Sequence, residues 1–362
     1  MKLSKKLGFF SAFSLPLMLL VGYYVGGAGN YLTVFFVFGI IPILDHYIGT
    51  DTENIEAEKE KALSQESFFK FVLYSWVFIQ LSILIWTMSV ISADVLVWWE
   101  AIGFTISLGL VTGGVGITVA HELGHKTDKL DQFFAKVLLF TVGYMHFFIE
   151  HNRGHHVWVA TPHDAATSQK NETFYHFWKR SIVNSYTHAW KLENERLERK
   201  NISKSSSENA MIWYTVLPIV GLIVSTLYFS IYKGSFAWEV PVLLIFQAII
   251  GFSLLEAVNY VEHYGIVRKE IAPNRYERVN PFHSWNSSHK VSNFILFQLQ
   301  RHSDHHAFAV REYQVLRHFD ESPQLPSGYP TMILMALVPN LWFRKMNPIL
   351  EHWKEAVYQK AS

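Results

Sequence analysis

Apolar and charged residues are segregated along this chain into long uncharged runs and short, mixed connections. Residues 7–44 carry no charged side chain. At ~1.5 Å of rise per helical residue that run is too long for one crossing of a hydrocarbon core of roughly 30 Å. It must fold back, and Gly26, Gly27, Ala28, Gly29 and Asn30 supply the turn. Further uncharged runs cover 71–92, 101–120 and 211–232, and another begins at Pro241 and meets its first charge at Glu256. The pattern predicts an all-α integral membrane protein with six transmembrane helices, near 8–28, 30–49, 69–92, 98–120, 211–232 and 240–262. The apolar stretch 133–148 is interrupted by Lys136 and His146, and is too short to cross, so it is expected to be re-entrant or interfacial. The remainder, 121–210 and 263–362, is expected to form a cytosolic, histidine-rich cap on a single membrane-embedded domain spanning 1–362.

Composition agrees with the pattern. Half the residues are hydrophobic and 17% are charged, against about a quarter charged in soluble domains. Placing Lys2, Lys5 and Lys6 in the cytoplasm leaves Lys233 as the basic residue in the outer connections, the expected positive-inside asymmetry. The first 30 residues have the basic start and apolar core of a secretory signal. The apolar run continues past any cleavage point, however, and removal would leave an odd number of crossings, so the segment is expected to stay. The chain has no cysteine, which excludes a disulfide framework and thiolate metal ligands. A net charge of +1 gives no reason to expect a nucleic-acid partner. The mixed-charge segments 51–66 and 191–200 read as solvated helices.

Candidate chemistry lies just beyond the ends of the apolar runs. Nine of 18 histidines fall there: His121 and His125, then His151, His155 and His156, then His302, His305 and His306, with His263 at the end of the sixth span. Imidazole is the commonest protein metal ligand, and nine exceed what one four-coordinate ion uses, so two metals are implied. On α-helical geometry His121 and His125 share a face, His151 and His155 share a face with His156 turned away, and His302, His305 and His306 point one way. All-nitrogen ligation suits iron, zinc, copper or nickel. HELGH alone fits an intramembrane zinc metalloprotease, with Glu122 as general base. A metal transporter fits less well, because the histidines gather at one leaflet rather than at the midplane.

HELGHK (121–126), FFIEHNRGHH (147–156), NYVEHYG (259–265), HSWNSSH (283–289) and LQRHSDHHA (299–307), in this order, resemble the integral-membrane alkane 1-monooxygenase family, part of the histidine-rich membrane di-iron desaturases and hydroxylases. The resemblance runs from about residue 41 to 348. It implies that His121, His125, His151, His155, His156, His263, His302, His305 and His306 ligate two non-haem irons. It also implies a bacterial inner membrane with both termini cytoplasmic. The implied reaction is hydroxylation of the terminal methyl of medium to long alkanes, drawn from the lipid bilayer, with O2. Electrons would come from a separate rubredoxin, itself reduced by an NADH-dependent reductase. A xylene-type hydroxylase or a fatty-acyl desaturase is the nearest alternative.

Metal-bound imidazoles usually donate their other N–H to a carboxylate or carbonyl. Glu256, Asp164 and Asp304 are the leading candidates for that role, with Glu122, Glu150 and Glu262 also near in sequence. Glu256 lies two turns inside the sixth span, where a carboxylate needs a partner or a function, and is expected to hold a ligating ring. His283 and His289 are read as supporting or structural, and His188 as a bystander. Gly109, Gly113, Gly114 and Gly116 read as close helix packing. By resemblance, bulk at Val37, Phe38 and Gly39 limits how deep a substrate chain inserts, and Arg268, Lys269, Arg311 and Arg317 could form a rubredoxin-docking face.

Overall fold

The structure, a computed structural model, describes the backbone of residues 1–361 and the side chains through residue 356. Its helices in chain order are α1 (Leu3–Val25), α2 (Gly27–Ile48), α3 (Ala57–Ser64), α4 (Ser67–Ser92), α5 (Trp98–Gly124), α6 (Lys129–Thr141), α7 (147–158), α8 (Phe174–Glu198), α9 (Ala210–Lys233) and α10 (Glu239–His263). A short hairpin of β1 (Glu270–Ala272) and β2 (Arg275–Tyr276) follows. After it come α11 (Lys290–Ile295), α12 (His302–Ala307), α13 (Tyr329–Ala336) and α14 (Pro339–Ala361). The six expected spans are present as α1, α2, α4, α5, α9 and α10, each long and apolar enough to cross a membrane. The first starts earlier than the charge pattern suggests. Lys5 and Lys6 belong to α1 because their ammonium groups reach Asp51, Glu53 and Glu66 at the same end of the molecule.

Burial separates the spans into centre and periphery. Of the 18 most apolar consecutive residues of α5, 72% are buried, against 11% in α9. Small residues let α5 lie against α10, as the sequence suggests: a methyl group at Gly113 would run into the backbone of Gly251, and one at Gly109 into Ile250. Between α1 and α2, Gly26 and Gly27 both have positive φ (70° and 54°), a conformation glycine adopts without steric cost.

The stretch expected to be re-entrant or interfacial, 133–148, falls in α6, the turn after it and the start of α7, and α6 packs beside α4 and α5. The last residue of α6, Thr141, accepts from Gln80 Nε2 (2.8 Å), and its carbonyl accepts from Gln247 Nε2 (2.8 Å). Thr112 donates to Gln247 Oε1 (2.7 Å) and Trp76 to Gln80 Oε1 (2.8 Å). These buried amides therefore tie four helices together with both ends of each amide used, the condition under which buried polar groups stabilise rather than cost. Three stretches widen into π-helix: Phe36–Ile40, Val111–Ile117 and His151–His155. Such turns frequently mark functional sites. The segments expected to be solvated helices are partly buried instead, since Leu63 in α3 and Glu193 and Leu197 in α8 face the protein.

Candidate metal centre

The nine histidines converge from α5, α7, α10 and α12 into two groups. His121, His125, His151, His156 and His305 form one, and His155, His263, His302 and His306 the other; within each, one ring nitrogen per residue lies within 4.8 Å of all the others. Two details depart from α-helical expectation. The π-turn at 151–155 brings His156 Nε2 to 3.0 Å from His151 Nε2, so these two share a group and His155 faces the second. His151 and His155 therefore do not pair, because a π-turn closes its hydrogen bond five residues on rather than four, here from the His156 N–H to His151 O. On α12, His302 and His306 sit together (Nε2 to Nε2, 2.9 Å) while His305 turns to the first group. This short helix is shared by both groups.

The arrangement fits cations. Inside the groups, Nε2 atoms approach one another to 3.1 Å (His125 and His151), 3.2 Å (His155 and His306) and 3.1 Å (His263 and His302). Metal–nitrogen bonds of about 2.1 Å place neighbouring ligands roughly 3.0–3.4 Å apart. Nε2 of His121 and both ring nitrogens of His305 are buried with no hydrogen-bond partner. Buried polar atoms are normally paired, so these are vacant lone pairs or donors aimed at something else. Burial and the neighbouring imidazoles push His125, His151, His156, His302, His305 and His306 well below the usual histidine range, leaving neutral rings with a free lone pair. His155 is the exception. Burial acts downward there too, but the Asp164 carboxylate outweighs it and raises the ring's basicity.

Of the three carboxylates expected to hold rings, only Asp164 touches one. His155 Nδ1 donates to Asp164 Oδ2 (2.9 Å), and Thr167 and the Ala166 N–H fix the carboxylate in turn. Glu256 meets no imidazole: it accepts from Tyr144 (2.8 Å) and faces Asn259. Seven residues before His263, it sits roughly 10 Å farther along the helix, out of reach of that ring. Asp304 is turned away from the centre, paired with Arg311 (2.8 Å) and accepting from the Arg317 backbone N–H (2.9 Å). Glu122 pairs with Lys126, and Glu150 with His188, which lies outside both histidine groups. His283 and His289 meet Glu277 and Ser287 and touch none of the nine rings. The string around them is nonetheless a clamp: Asn286 Oδ1 accepts from the Ser303 N–H (2.9 Å) on α12, and the Trp285 N–H donates to Glu262 O (2.8 Å) on α10. Arg301, beside His302, donates to three carbonyls, those of Leu316, Asp51 and Glu53.

An apolar cavity runs from between the spans to both groups. Leu15, Val37, Phe38, Leu110, Gly114 and Leu254 line it, and it ends on His121, His151 and His302 beside Glu262 and Tyr329. Each of the three π-segments contributes to its wall. Gly39 does not, since its open side faces Phe35. The basic residues considered for docking are mostly engaged. Arg268 is buried and donates to backbone carbonyls of Glu277 and Val157, while Arg311 and Arg317 pair with Glu60.

A polytopic membrane protein with two imidazole cages at the foot of an apolar cavity is the class defined so far, and relatives narrow it. The fatty acid desaturase family model matches residues 96–335. Alkane 1-monooxygenase 2 of Pseudomonas aeruginosa is 41% identical over 323 residues, 89% of this chain and 84% of that protein. Alkane 1-monooxygenase of Pseudomonas putida is 41% identical over 317 residues, 87% of this chain and 77% of its own length. The hydroxylase component of a xylene/toluene monooxygenase from Pseudomonas putida is 29% identical over 259 residues, 71% of this chain and 66% of that component. The chain belongs to the fatty acid desaturase family and, within it, to the alkane 1-monooxygenases.

Proposed function

We propose that this protein hydroxylates the terminal methyl group of medium to long alkanes at a pair of non-haem irons held by the nine histidines, with electrons delivered by a separate rubredoxin. The observation that carries the reading is the apolar cavity ending on rings of both groups. When bound, two irons supply the redox chemistry that divides O2 between the alcohol and water, consuming two electrons and two protons.

The protein's own part is placement and exclusion. From Leu110 to His121 the wall of α5 extends roughly 16 Å at ~1.5 Å per residue, a length comparable to that of an extended chain of medium length. Leu15, Leu110 and Leu254 offer the chain no polar partner, so it orients by burial alone, with its end methyl nearest the imidazoles. The same lining keeps water from a reactive centre. Asp164 fixes the tautomer and direction of His155. Val37 is small where α2 meets the cavity, so Val37→Trp is expected to cut turnover of long alkanes far more than that of octane. An unaltered chain-length profile would refute that role for α2.

Metal analysis of purified protein, with octane turnover in the presence of rubredoxin, its reductase and NADH, tests the whole reading. Two irons per chain and 1-octanol are expected. A single zinc, or peptide cleavage without alcohol, overturns it.

A further inference from the structure

The two groups are unequal in donors, five histidines against four, and among the described residues no carboxylate oxygen lies within 4.8 Å of every donor in either group. Two carboxylates approach the smaller group, and they approach different atoms. Asp164 meets Nδ1 of His155, the outward nitrogen, leaving Nε2 for the centre. Glu262 Oε2 lies 3.1 Å from Nε2 of His302, the inward nitrogen, which is also within 3.1 Å of His263 Nε2 and 2.9 Å of His306 Nε2. The outward Nδ1 of His302 has no side-chain partner among the described residues. A carboxylate that only steered the ring would sit at that outward atom, as Asp164 does.

An unprotonated imidazole nitrogen and a carboxylate oxygen at this distance repel each other unless a proton or a cation lies between them. Once His302 lends its lone pair to a metal it carries no proton at Nε2, so the cation must serve. The other oxygen of Glu262, Oε1, is occupied by the Tyr329 hydroxyl (2.6 Å), which turns Oε2 toward the histidines. Tyr329 and Glu262 are both buried, and a carboxylate there is costly without a partner of opposite charge. Nine neutral imidazoles provide no negative charge to balance two cations.

Building on the iron-centred function above, we propose that Glu262, already beside His302, closes onto a bound ion as the fifth donor of the second group, giving each ion five protein ligands. Glu262 lines the apolar cavity together with His302 and Tyr329. Tyr329 is its positioning residue, sharing one oxygen and leaving the other for the metal.

Iron(II) titration of the metal-free, full-length protein in lipid nanodiscs tests this, with 57Fe Mössbauer spectra of the loaded samples. Wild-type protein is expected to bind two equivalents and give two distinct doublets. Glu262→Gln is expected to lose most of the second equivalent, or to shift one doublet while leaving the other in place. Glu262→Asp, which keeps the charge on a shorter stem, should retain more of the second iron than Glu262→Gln, and Tyr329→Phe should retain both. Equal binding and identical spectra in wild type and Glu262→Gln overturn the assignment, as does equal retention by the Gln and Asp variants. Matching thermal midpoints of the metal-free proteins identify the folded variants to compare. Because the readout is metal stoichiometry, a protein that holds two ions but makes no alcohol would sink the proposed reaction and leave the ligand assignment standing.

Discussion

The two histidine groups are built from the same side chain but in different surroundings. In the five-nitrogen group His125 and His156 are only half-buried, and His125 borders a polar pocket lined by Lys70, Lys126, Asp128, Asp131 and Glu312. In the four-nitrogen group every ring is buried, and carboxylates stand at both an outward and an inward nitrogen. The contrast suggests a division of labour. The open group is placed to exchange with solvent and receive what arrives from the polar side. The enclosed group has no such opening to a polar pocket, although both groups border the apolar cavity.

Removing a ligand from either side should have the largest effect. His125→Ala and His302→Ala are each expected to abolish alcohol formation, with metal analysis showing which ion is lost. If either variant keeps two irons and full turnover, that residue is not a ligand. Asp164→Asn comes next: it should weaken binding at the enclosed group by roughly 10–100-fold, the usual cost of losing an outer partner of a ligating histidine. The first group should be unaffected, and a uniform loss from both would erase the distinction. A smaller difference is kinetic. A bulky hydrophilic chelator should strip the open group first, and simultaneous release on a stopped-flow trace would contradict the contrast in access.

The smallest expected effect lies outside both groups, in the cap that carries α7. Burial pushes the Glu193 carboxyl up, but hydrogen bonds from Arg196, Arg153 and the Ala210 N–H prevail and hold it at about 2. A folded-state value below the unfolded one of about 4.3 stabilises the protein above that pH, and the contribution is lost as pH falls through the folded value. Glu193→Gln should therefore lower the thermal midpoint by a few degrees at pH 7. The gap to wild type should close as the pH drops from about 4 toward about 2. A gap independent of pH would assign the loss to packing.

The six spans were legible because a charge within a hydrocarbon core is expensive, which leaves uncharged runs such as 211–232 easy to see. The nine histidines were legible as a set for a related reason: their clustering at the ends of those runs has no structural explanation. Their division into groups was not legible. It depends on a π-turn at 151–155 and on the rotation of α12, and neither has a residue pattern of its own. Glu256 shows the opposite failure. A carboxylate deep in a span does demand a partner, but Tyr144, distant in sequence, meets that demand in place of a ring. Glu262, one residue before His263, carried no signal to set it apart from other acids in the histidine strings.

The wide turn at His151–His155 makes the cage sensitive to chain length as well as to side-chain identity. It holds one residue more than an α-turn would, so rewinding the segment as ordinary α-helix with every residue kept would swing His156 by roughly a quarter of a revolution out of its group. Counting residues between histidines, and not merely preserving the histidines, thus becomes a condition on any sequence that keeps this centre.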